Sequence, residues 1–159
     1  MGSTFEETAA KLGGETTVRG VLATTCEETV ALLDATACAV SRVIGDLLVG
    51  LDEHTLSSRP LEHGHEYLIS DYPLTQEVVE SGEPRRVSRL DADAEPKEAE
   101  LLEKLGFDSL LMVCLPSGGE CWGLVEVYAE AARFDEGQAE LARRLARLAG
   151  ERLAQLDAA

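Results

Sequence analysis

An α+β fold with an antiparallel sheet follows from three features of the chain. Residues 107–128, FDSLLMVCLPSGGECWGLVEVY, hold two strand-like runs around Ser117-Gly118-Gly119-Glu120, the pattern of a β-hairpin. A second pair of runs, 37–44 and 47–51, flanks a Gly45-Asp46 turn. Two amphipathic stretches bracket them. In 15–34, Val18, Val21, Leu22, Thr25, Val30 and Leu33 lie near helical spacing, and leucines at 141, 145, 148, 153 and 156 mark a final helix.

The elements between follow in order. Residues 1–14 end in Gly13-Gly14 and are expected to be flexible or marginally helical, leaving one domain over 15–159. The interval 52–71 is polar, contains all three His and has weak periodicity, which predicts a long loop of the kind that builds binding sites. Pro73 opens a helix carrying Leu74, Val78 and Val79, stopped by Gly82. Residues 84–90 read as a short Arg-rich strand suited to a sheet edge. Pro96 starts a helix over 97–105 that Gly106 ends. Phe134-Asp135-Glu136 supplies the hydrophobic lead-in to the last helix, with Asp135 as its N-cap.

At 159 residues the chain is the size of one domain with room for a substantial core. Aromatics make up only 4% of it, so Leu, Val and Ala must fill most of that core. Thirty Asp and Glu against 14 Lys and Arg leave a formal charge of −16. Such a surface repels phosphate backbones and anionic lipid, so neither nucleic acid nor membrane is expected as a partner. No apolar run approaches the ~20 residues of a membrane span, and residues 1–14 lack a secretory pattern. A cytoplasmic protein is expected. Cys26, Cys38, Cys114 and Cys121 form no C-x-x-C pair, and reduced thiols are the default.

Between Val18 and Leu156 this order of elements resembles the GAF domain family. The residues that carry the likeness are YPLTQEVVESGEP, the DADA loop at Asp91-Ala92-Asp93-Ala94, LLEKLGFDSLLMVCLP, GGECWGLVEVY and RFDEGQAELARRLARLA. The resemblance implies a central antiparallel sheet of five or six strands, terminal helices on one face, and a ligand pocket on the other roofed by loops and short helices. It also implies small-molecule sensing and homodimerisation through the terminal helices.

Strand alternation assigns side chains to those faces. Leu110, Met112 and Cys114 share one side of the first hairpin strand, and Trp122, Leu124, Glu126 and Tyr128 share one side of the second. Their alternates, Leu111, Val113, Leu115, Gly123, Val125 and Val127, are small or aliphatic and suit packing by helices. The first set carries the polar and reactive groups and is assigned to the pocket. Cys38, Val40 and Arg42 share a face of the first strand, placed on the same side. Arg42 would pair with Glu126 across strands, either as a plain ion pair or, with Tyr128, to orient a ligand. His63, His65 and Tyr72 complete the pocket candidates.

Motifs narrow the chemistry. His63-Gly64-His65 has strand geometry for a transition metal but no third or fourth ligand at familiar spacing, so no metal is assigned. Asp91, Asp93 and Glu95 mimic a calcium loop that fails at Pro96 and Leu102. Tetrapyrrole-binding GAF domains attach their chromophore through a Cys followed by His, which is absent here. The cyclic-nucleotide signature needs an Asn, and the chain has none. An enzymatic reading, a free methionine-(R)-sulfoxide reductase, is kept open by Cys114 but finds no Cys in 52–111. The expectation is therefore a non-enzymatic sensor of an unidentified small molecule, with the cofactor unknown. It is stand-alone or excised, and it acts through a dimer or a separate output protein. A haem- or metal-binding sensor and a ligand-free dimerisation module also stay open within the family resemblance.

Overall fold

The computed structural model describes residues 4–57, 61, 66–130 and 133–158. Among the described residues, five helices and six strands follow in order: α1 Phe5–Gly14, α2 Val18–Leu33, β1 Ala37–Ile44, β2 Leu47–Thr55, β3 Glu66–Leu68, α3 Pro73–Ser81, β4 Arg85–Ser88, α4 Pro96–Leu105, β5 Ser109–Ser117, β6 Glu120–Ala129 and α5 Glu136–Ala158. A single 3₁₀ turn, Ile69–Asp71, joins β3 to α3. The strands form one antiparallel sheet in the order β3-β2-β1-β6-β5-β4. Local chemistry explains the joints. Ser117 pairs with Glu120 across a two-residue turn whose Gly118 and Gly119 take φ of 64° and 80°. Asp135 accepts from the Gln138 N–H while the Gln138 side chain accepts from the Asp135 N–H, a reciprocal cap on α5.

Helices α2 and α5 cover one sheet face, and α1 packs against both of them. Leu111, Val113, Leu115, Val125 and Val127 pack there with Val21, Cys26, Leu145 and Ala149. Each fully buried aliphatic side chain stabilises the fold by roughly 1.5–3 kcal/mol. The approach of α5 is close enough that a Cβ on Gly150 would lie 1.6 Å from the Pro116 carbonyl oxygen. On the opposite face, Leu110, Met112, Leu124 and Tyr128 meet Val78 of α3, Leu102 of α4 and Phe107. The sheet thus separates two cores.

Three expectations need correction. Residues 5–14 are not loose: Thr4 caps α1, Leu12 is buried, and Thr8 and Lys11 both reach Glu28 of α2. Cys38 lies in the helix-side core with Cys26, while Ala37 and Ala39 take the other face. Period-two alternation holds on β1, but its phase is opposite to the one that the polarity of Arg42 suggests. That guanidinium does not pair with Glu126, since Arg42 lies opposite Gly123 and Ala39 opposite Glu126. Instead it donates to the carbonyls of Val43 and Trp122 at 2.7 and 2.6 Å, with its carbon 4.4 Å from the Trp122 ring centre. Reaching around the strand end satisfies a cation without burying it.

Candidate functional site

The pocket-side roof is built by Tyr67, the 3₁₀ turn, α3 and α4. Beneath it lies a cavity of about 20 Å³ open to a water centre, lined by Leu48, Tyr67, Leu68, Ile69, Tyr72, Thr75, Glu98, Leu101 and Glu126. That is room for one water-sized group. Two carboxylates reach it. Glu98, on α4, is 1% exposed, and Glu126, on β6, is 4% exposed. The Thr75 hydroxyl donates to Glu98 Oε1 at 2.5 Å. Tyr128 donates to Glu126 Oε2 at 3.0 Å, and Ser41 reaches Oε1 at 3.5 Å.

The electrostatics follow from this burial. Glu98 is pushed up to about 7, first by loss of water and then by the Glu126 and Glu95 charges, with the Thr75 bond opposing. Burial and then Glu126 raise Tyr67, while burial, Tyr67 and then Glu98 raise Tyr72. The two phenol rings meet edge-on, centres 5.9 Å apart at 82°. A low-dielectric chamber with two acids and two aromatic walls results.

Of the pocket candidates read from sequence, Tyr72 and Glu126 line this cavity. Met112 and Tyr128 lie in the core beneath it, and Met112 sulfur is 3.4 Å from the Thr75 hydroxyl. Cys114 sits at the margin of the same core and is disulfide-bonded to Cys121, Cα to Cα 5.6 Å, so these two thiols are not reduced. Trp122 is half-buried against the helix-side cluster, next to the register shift at Leu115/Pro116, where proline offers the ladder no N–H. Cys38 and Arg42 lie elsewhere, as described. His63 and His65 are outside the described residues. Among the described residues, no three His, Cys, Asp or Glu are grouped to hold a metal ion.

Sequence reasoning misses Glu98 and Thr75, although each leaves a signal. Glu98 lies three and four residues before Leu101 and Leu102, on the inward stripe of α4, and Thr75 stands likewise before Val78 and Val79. A polar residue on a buried stripe is the informative kind. Wider depressions open to solvent carry less. One, about 460 Å³ beside β4, has its arginines engaged: Arg86 with the Phe134 carbonyl and Arg133 with Asp91. Another, about 410 Å³, runs over Cys114–Cys121 beside Arg143 and Arg147. Cys26 and Cys38 are poor nucleophile candidates, since their mutual contact and burial hold the Cys26 thiol far above its ordinary range.

An antiparallel sheet with helices on one face and a roofed cavity on the other defines a ligand-binding sensor fold. The chain belongs to the GAF domain family, which matches residues 17–153. Solved structures share the fold at low identity. JSC1_58120g3, in its far-red absorbing dark state with bound biliverdin IXa, is 18% identical with a TM-score of 0.81, covering 96% of this chain and 98% of that one. The chromophore-binding domain of the R. palustris bacteriophytochrome RpBphP3 is 11% identical with a TM-score of 0.83, covering 97% of this chain. That of the Stigmatella aurantiaca bacteriophytochrome is 15% identical with a TM-score of 0.76, covering 98% of this chain. This protein spans 61% and 59% of those two chains. No curated protein matched. Among the described residues no helix is long and apolar enough to cross a membrane.

Proposed function

We propose that this protein is a non-enzymatic, cytoplasmic sensor whose small-molecule ligand enters between the sheet and the roof made by Tyr67, Tyr72, α3 and α4. Ligand entry shifts residues 66–81, and the change passes through the sheet to α1, α2 and α5, which act through a homodimer or a separate output protein.

One observation carries this reading: Glu98 and Glu126 are both buried at a single cavity. Taking a carboxylate out of water costs several kcal/mol, and aliphatic side chains of equal volume would serve a purely structural core as well or better. Buried acids at a cavity are therefore a mark of binding. A tetrapyrrole like that in JSC1_58120g3 does not fit these residues. The chain offers no Cys followed by His, and Leu110, Met112, Leu124 and Tyr128 fill the sheet face where a ligand pocket of several hundred Å³ would be needed.

That filled face is also what favours the second reading, a ligand-free dimerisation module. Native mass spectrometry and the absorption spectrum of freshly purified protein separate the two. A retained small molecule, or hydrogen-exchange protection gained over 66–81 in a ligand panel, is expected. A bare mass with unchanged exchange across the panel would leave the dimerisation module.

A further inference from the structure

We infer that the ligand is a small primary amine, held as its ammonium ion between Glu98 and Glu126. This rests on the sensing reading above and narrows it to a chemical class.

Charge is the first argument. The cavity receives carboxylates from two separate elements, α4 and β6, and its described lining contains no Lys, Arg or His. Thr75, Ser41 and Tyr128 supply neutral O–H donors to those acids. Such donors satisfy lone pairs but supply no counter-charge. An ammonium adds both the missing charge and three N–H donors in charge-assisted bonds. A third anion would be repelled.

Size decides among cations. About 20 Å³ for a water centre admits a group the size of water, which an –NH₃⁺ head matches. A quaternary ammonium or a guanidinium is too large without remodelling the core below. A hard divalent metal asks for several anionic or oxygen-rich side chains together, and among the described residues no three His, Cys, Asp or Glu are grouped to hold one. Tyr67 and Tyr72 line the same cavity and offer apolar ring surface to the carbon chain that the head group leaves outside it.

Binding is coupled to protons. The groups facing Glu98 are Glu126 and Tyr128 of β6, Glu95 at the N-cap of α4, Tyr72 before α3 and Thr75 of α3; the Glu126 charge also reaches Tyr67 of β3. Glu98 must be ionised to hold the ammonium, so affinity tightens as pH rises through about 7, and below that binding releases a proton.

The test is titration calorimetry of the full chain with ethylammonium, ethanolamine, tetramethylammonium, acetate and ethanol. Either primary amine should bind, with tetramethylammonium weaker by about tenfold or more and no heat from acetate or ethanol. Affinity for ethylammonium should be about tenfold higher near pH 8 than near pH 6, with buffer-dependent heats showing proton release. Glu98→Gln and Glu126→Gln, checked for folding by circular dichroism, should each weaken it by about tenfold or more. The wild-type probe series and pH profile stand even if a variant fails to fold. Tetramethylammonium or acetate binding as tightly as ethylammonium overturns the inference, as does ethylammonium binding unchanged in both folded variants. If no probe binds while native mass spectrometry shows another retained molecule, the amine assignment fails and the sensing reading survives. A bare mass as well sinks both.

Discussion

Tyr128 donates its phenol O–H to Glu126 Oε2 across 3.0 Å, two residues apart on one strand face. Burial first, then the Glu126 charge, keeps the phenol protonated far beyond its ordinary range, so it remains a donor at any working pH. Tyr128→Phe retains the ring beside Phe107, centres 5.2 Å apart, and deletes the hydroxyl that makes the Glu126 bond. Leaving a buried carboxylate oxygen short of a partner costs about 1–3 kcal/mol. The urea midpoint should fall accordingly with the slope unchanged. A loss below about 0.5 kcal/mol would show that Ser41 and water suffice.

Glu98 makes stability depend on pH in an unusual direction. A carboxyl that titrates near 4.5 in the unfolded chain is raised to about 7 when folded, so between those values the folded state binds more protons. Stability from this group is complete below the lower value and declines as pH rises through the upper one, by an amount of order 3 kcal/mol. Glu98→Gln mimics the neutral acid. Its stability should stay flat from about pH 5 to pH 8 while the wild type declines, and parallel curves would refute the assignment.

The sheet is legible in the sequence because hydrophobic period and turn chemistry agree. Both the bounds of Ala37–Ile44 and the shared face of Leu111, Val113 and Leu115 follow from pattern alone. The site is less legible for identifiable reasons. Arg42 sits on the helix-side face but near the end of the strand, where the Trp122 ring and two carbonyls satisfy it, so its polarity misleads about the phase of β1. Trp122 leaves the pocket because the ladder shifts register at Pro116, which alternation alone does not anticipate. Glu98 and Thr75 act from helices, and only the tertiary fold brings them to Glu126. For α1, ten residues ending in two glycines have weak helix preference by themselves; docking on α2 and α5 supplies what local propensity lacks.

Cys114 and Cys121 close a short loop across the hairpin, seven positions apart. Closing a loop of this length stabilises the folded chain by about 2 kcal/mol in the loop-entropy account. Iodoacetamide added to denatured, unreduced protein should therefore label two thiols, Cys26 and Cys38, and four after reduction. Reduction should also lower the urea midpoint by the equivalent of about 2 kcal/mol. Four labelled thiols without reductant would show the pair open.

The tightest test of helix docking is Gly150. A Cβ there would meet the Pro116 oxygen at 1.6 Å and its carbonyl carbon at 2.8 Å. Both are backbone atoms of a paired strand, so no side-chain rotation relieves the overlap and α5 must lift from β5. Gly150→Ala therefore loses packing along Leu145, Ala146 and Leu153 despite alanine's better helix propensity. The expected cost exceeds about 3 kcal/mol, at the upper end for point substitutions. Gly137→Ala is the control: it sits exposed in the first turn of the same helix, where the nearest atom is the Asp135 cap oxygen at 3.3 Å, a side-chain atom of an exposed residue rather than backbone. There the propensity gain, up to about 1 kcal/mol, should show as equal or greater stability in thermal unfolding. If Gly150→Ala proved as mild as its control, α5 would not lie against Pro116, and the route from the sheet to the terminal helices would have to run elsewhere.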